Sequence, residues 1–165
     1  MYPEAFNKCI EIVLKSEGGF QRNPNDSGNW SNGKLVGTKY GIAARFFPGL
    51  DIKNLTIEGA KTIYYEKYWK PMNLIGITSG DVVLQIFDFG VNAGRGTSIR
   101  IAQRLVKVKA DGKLGPISKY AINNFPDFLD AFKTARILYY RKIAEKPRNA
   151  GFLQGWLNRV SNTHF

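Results

Sequence analysis

With 165 residues, 44% of them hydrophobic, the chain is long enough to bury the core of one domain. Twenty-four Lys and Arg against 13 Asp and Glu leave a formal charge of +11, which favours polyanionic partners without choosing among nucleic acid, anionic lipid and an acidic cell wall. One Cys and one His exclude an internal disulfide and argue against a His/Cys metal centre, and no run approaches the roughly 18 apolar residues of a membrane-spanning helix.

From Glu4 to Ser16, Phe6, Ile10, Val13 and Leu14 fall on one face of a helix, and Gly18-Gly19 ends it. Glu17 then stands at the helix C-terminus, where the negative end of the dipole favours the neutral form of a carboxyl group. Residues 20–44 carry Pro24, four glycines and the turn-forming cluster Asn23 to Asn32. Asn32-Gly33 is a hairpin signal, with strands expected around Trp30 and Leu35-Val36, so a small β-hairpin is predicted near residues 28–40. Thr56 is a candidate N-cap for a helix carrying Ile57, Ala60, Tyr64 and Tyr68, which Pro71 should stop.

Ser79 to Val91 has almost no polar face and predicts the buried axis of the domain, interrupted only by Gln85 and Asp88. Thr97 opens a helix with Ile101, Ala102, Leu105 and Val108 on one side, and Asp111-Gly112 turns the chain. Pro116 suits the first position of a helix over 116–124, Pro126 starts another aligned on Phe128, Phe132, Ala135 and Tyr139, and a last helix runs from about Gly151 to Ser161. The expectation is a single, mainly α domain over residues 1–165 with one small β element, free of repeats and linkers.

Several motifs stand in order along this layout. Glu17-Gly18-Gly19-Phe20 is followed by Asn23-Pro24-Asn25-Asp26-Ser27-Gly28 and then by Thr38-Lys39-Tyr40-Gly41-Ile42. Further on come Asp88-Phe89-Gly90-Val91-Asn92-Ala93-Gly94, Gln103, Asp111-Gly112-Lys113-Leu114-Gly115-Pro116 and Gly155-Trp156-Leu157-Asn158-Arg159-Val160. The first set resembles glycoside hydrolase family 108, and the second resembles the predicted peptidoglycan domain that accompanies it. The resemblance implies a lysozyme-like fold, with residues 6–90 as the half bearing the catalytic glutamate and residues 91–165 as a helical half. It also implies a muramidase of the lysozyme superfamily, often a phage endolysin or a bacterial secretion-linked wall hydrolase, with a bacteriolytic action that cuts between N-acetylmuramic acid and N-acetylglucosamine. Two departures from the family pattern are Asn23, where the first turn aspartate is expected, and an insertion around Trp30 to Val36.

Glu17 matches the catalytic glutamate and is assigned as general acid, for which a position near a helix C-terminus is suitable. Asp26, otherwise an Asx-turn residue, is the candidate second carboxylate, and Thr38 matches the family threonine that positions the attacking water. Tyr40 and Trp69 offer flat faces for sugar rings, Trp69 being expected at the surface beside Lys70 and Pro71. Asp88 and Asn92 are further candidates for substrate contact, although a carboxylate in an apolar helix first needs a structural partner. No metal or cofactor is called for, and peptidoglycan glycan strands are the expected partner of a monomer, with neither nucleic acid nor stable membrane insertion expected. The N-terminus lacks the basic segment and apolar core of a secretory signal. The protein is therefore expected to be made in the cytoplasm and to reach the periplasm or wall by holin-type or other release. The alternatives are a lytic transglycosylase acting on the same bond and a non-catalytic cationic module that binds wall or nucleic acid.

Overall fold

The computed structural model describes all of residues 1–165. They form two compact units, Ile10–Glu66 and Met1–Cys9 with Lys67–Phe165. The divisions fall within two helical stretches.

In the unit Ile10–Glu66, the end of helix α1 (Glu4–Ser16) buries Ile10 and Val13, as its apolar periodicity requires. Four two-residue strands follow, β1 (Trp30–Ser31), β2 (Lys34–Leu35), β3 (Thr38–Lys39) and β4 (Ile42–Ala43), paired antiparallel as β1–β2 and β3–β4. Trp30 faces Leu35 in the first pair and Thr38 faces Ala43 in the second. The first turn is Asn32-Gly33, with φ of 49° and 74°, and the second is Tyr40-Gly41, with φ of 52° and 74°. Two successive left-handed residues give the tight hairpin turn whose twist matches that of the strands. Asn-Gly announces this in the sequence and Tyr-Gly does not, so one expected hairpin becomes two. Thr56 caps α2 (Ile57–Tyr64) by accepting the Gly59 N–H at 3.0 Å, and Ala60 and Tyr64 pack inward with Ile42, Ala44 and Ile52.

A π-helical turn, Tyr65–Trp69, and the short α3 (Lys70–Met72) carry the chain past Pro71, contrary to the predicted stop. The wider turn before Pro71 accommodates the proline ring and the hydrogen bond that proline, lacking an N–H, does not make, and left-handed Asn73 ends the helix. The other unit is built on α4 (Gly80–Ala93), buried without a break from Val82 to Gly90. Around it lie α5 (Arg95–Leu105) and α7 (Phe128–Ala144), with α6 (Pro116–Asn123) against α5 and α8 (Leu153–Asn162) against α7. Full burial of side chains such as Leu84, Ile86, Phe87 and Phe89 contributes about 1.5–3 kcal/mol each. Phe6, Trp69 and Phe87 meet edge to face with ring centroids 5.2–6.1 Å apart.

Candidate active site

Glu17 lies immediately beyond α1, half-buried, with its N–H donating to the Leu14 carbonyl at 3.3 Å. Its carboxyl group is overlaid by the turn of the second hairpin. A Cβ placed on Gly41 would overlap both Glu17 Oε2 and Tyr64 Oη, so the absence of a side chain at residue 41 makes the space in which carboxyl and hydroxyl converge. Two hydrogen bonds pin that turn: the Tyr40 N–H donates to the Gly18 carbonyl at 3.2 Å, and the Tyr64 hydroxyl donates to the Tyr40 carbonyl at 2.8 Å. The left-handed Tyr40 is therefore held from both sides, which offsets the cost of about 1–2 kcal/mol of that conformation in a residue with a Cβ. The ring of Tyr40 lies under Lys39 Nζ at 5.3 Å.

Gln21 ties the rest of this region together. Its backbone exchanges two hydrogen bonds with Thr38, at 2.8 and 2.9 Å. Its side-chain Nε2 donates to Asp26 Oδ2 at 3.0 Å and to Asn29 Oδ1 at 3.1 Å, while Oε1 accepts from Asn29 Nδ2 at 2.7 Å and from the Asn23 N–H at 3.0 Å. Asn29, with no exposed surface, also accepts the Thr38 hydroxyl at 2.7 Å and donates to the Asn23 carbonyl at 2.9 Å. Asp26 Oδ1 accepts the Gly28 N–H at 2.8 Å, the Asx-turn bond that caps the 3-10 turn Ser27–Asn29. Asp26 and Thr38 thus belong to one network centred on Gln21 and Asn29. Asn23, the departure from the family pattern, contributes its backbone to that network and turns its own side chain to the Asn25 N–H.

The remaining predicted residues fall elsewhere. Trp69, expected at the surface, is 3% exposed because the π-helical turn directs it between Phe6 and Phe87, leaving no face for a sugar ring. Asp88 is 1% exposed and saturated by two arginines. Arg136 Nη2 donates to Oδ2 at 2.8 Å, and Arg159 donates through Nη2 and Nε at 2.7 and 2.9 Å to Oδ1. The structural partner that a buried Asp88 needs is thus supplied by side chains of α7 and α8. Arg136 also bonds the Gln85 side chain and lies 5.0 Å from the Phe89 ring centre. Asn92 is exposed near the end of α4, its amide oxygen accepting the Tyr140 hydroxyl at 2.7 Å.

Gln21, Asn29 and Tyr64 were not singled out in the sequence. Gln21 and Asn29 lie in a polar turn segment without periodicity, and Tyr64 reads as a residue of a helix face. No group of three His, Cys, Asp or Glu side chains converges in a way that would hold a metal ion.

The glycosyl hydrolase 108 family model matches residues 10–94, and the model of the predicted peptidoglycan domain matches residues 97–161. Among solved structures, SagA of Brucella abortus is similar with a TM-score of 0.78 at 24% identity, over 96% of this chain and 90% of that one. This likeness supports the mainly α, lysozyme-like fold expected from the sequence. A comparison with curated protein sequences finds no match.

Proposed function

This chain belongs to glycosyl hydrolase family 108, as a peptidoglycan enzyme of glycoside hydrolase type, and we propose that it is an N-acetylmuramidase with Glu17 as general acid. The observation that carries this reading is the Glu17 carboxyl held beneath the Tyr40-Gly41 turn, within the segment that matches the family. The bond cut is the β-1,4 linkage between N-acetylmuramic acid and N-acetylglucosamine. Glu17 gives its proton to the glycosidic oxygen as the C–O bond breaks, and the sugar left behind develops oxocarbenium character. The Thr38 hydroxyl donates to Asn29, which leaves its oxygen free to accept a hydrogen bond from the attacking water. Asp26 is the second carboxylate, oriented by Gly28 and Gln21 toward the water or the developing cation. Tyr40 is the sugar contact proposed beside Glu17 and Asn92 a separate candidate in its own unit, while buried Trp69 and ion-paired Asp88 support the fold instead.

Clearing of permeabilised Gram-negative cells tests the assignment. Glu17→Gln should lower the clearing rate by about 10²–10⁴, the usual contribution of a general acid. Clearing at the wild-type rate by this variant would remove Glu17 from the mechanism. Mass spectrometry of the products should show reducing ends that have gained one water, whereas 1,6-anhydro ends would make the enzyme a lytic transglycosylase.

A further inference from the structure

The positive charge is not spread evenly along the chain. Residues 97–161 hold 13 Lys and Arg against four Asp and Glu, so they carry +9 of the total +11. Arg136 and Arg159 are taken by Asp88 inside the fold; the others lie at least partly at the surface.

Part of this charge borders an apolar groove between α5 and α7 with a volume of about 440 Å³. Ile101, Leu105, Leu138 and Tyr139 form its floor, with Leu138 59% exposed. Arg104 and Lys142 stand on its edge, and neither is held in an ion pair. An apolar floor with two unpaired cations fits a ligand that carries small apolar groups and carboxylates on one short chain. A stem-free glycan offers one lactyl carboxylate per disaccharide among many hydroxyls and acetamides, which call for hydrogen-bonding side chains that this floor lacks apart from the Tyr139 hydroxyl.

We propose that the α5–α7 groove binds the acidic, alanine-containing peptide stem of peptidoglycan. The stem carboxylates pair with Arg104 and Lys142, and the alanine methyl groups cover Leu105 and Leu138. The groove thereby holds the enzyme on peptide-bearing wall, independently of glycan cleavage. This inference rests on peptidoglycan being the substrate, and every residue of the groove lies inside the segment that matches the predicted peptidoglycan domain.

The test is retention of the full chain on glycan strands immobilised on beads, either bearing their stems or stripped of them by an amidase, compared with an Arg104→Glu/Lys142→Glu variant. Both residues are exposed, and Arg104→Gln/Lys142→Gln serves as a milder pair if the reversal perturbs folding. Wild type should be retained about tenfold better on stem-bearing than on stripped strands, and the reversal should remove that advantage. Hydrolysis of soluble, peptide-free glycan strands should be the same in all variants. Equal retention of wild type on both kinds of strand, or unchanged retention of both variants, overturns the assignment. Binding to phosphatidylglycerol vesicles that is as strong as to stem-bearing strands and lost on the same substitutions overturns it in favour of a lipid surface. Stem-dependent retention without any cleavage of glycan counts against the muramidase reading alone.

Discussion

Gly33 and Gly41 hold the same place in two like turns, each with φ of 74°, yet their surroundings differ. Nothing lies within 4 Å of a Cβ added at Gly33, whereas one at Gly41 strikes the Glu17 carboxyl and the Tyr64 hydroxyl. Alanine at either position should cost about 1–2 kcal/mol of stability from the left-handed backbone. Only Gly41→Ala should also lower wall-clearing activity, by at least about tenfold, because the misplaced carboxyl no longer meets the glycosidic oxygen. Urea denaturation with activity measured in parallel separates the two effects; equal activity losses in both variants would show that turn strain, not crowding of Glu17, matters. Cys9 makes a second point at this scale. Burial pushes its thiol up to about 12 from an ordinary 9.0, with the Asp88 and Asp81 charges acting the same way. The fold favours the neutral thiol, so this contribution to stability is fully present below pH 9 and is lost as pH rises towards 12. At pH 8 Cys9 should resist an aromatic disulfide reagent in the native protein and react rapidly in urea, as followed by absorbance.

Among the elements, α4, α7 and α8 are tied by one carboxylate between two guanidinium groups. Asp88 comes from α4, Arg136 from α7 and Arg159 from α8. Removing one partner of a buried ion cluster leaves the others uncompensated, so Asp88→Ala should lower stability by about 3–5 kcal/mol. The shift of the urea midpoint measures it, and a loss below about 1 kcal/mol would mean that the two arginines find other partners. The same cluster shows what periodicity can reveal. The run Ser79 to Val91 identifies a buried helix, and a carboxylate in it implies a partner. The partners themselves, 48 and 71 residues away, emerge only when α7 and α8 pack against α4. Trp69 departs from its sequence expectation for a related reason: Pro71 suggests a helix end and exposure, while the π-helical turn rotates the indole inward.

On the scale of the whole molecule, the +9 carried by residues 97–161 should make wall binding strongly salt-dependent. Retention on intact sacculi should fall several-fold between about 50 mM and 300 mM sodium chloride, where the screening length shortens from roughly 14 to 6 Å. Retention independent of salt would mean that apolar and hydrogen-bonded contacts, not surface charge, dominate.

The sequence by itself determined the family motifs, the helical character of most elements, the buried α4 and the position of Glu17 at a helix end. These are local matters of periodicity, capping and turn chemistry. The first hairpin was legible in Asn32-Gly33, whereas the second was not, because Tyr40 adopts its left-handed conformation under bonds from Gly18 and Tyr64. Tertiary structure alone decided that Gly41 covers the Glu17 carboxyl, that Gln21 and Asn29 join Asp26 to Thr38, and that Asp88 is neutralised within its unit. Each depends on groups distant in sequence meeting in space, and no local pattern records where a folded chain will bring them.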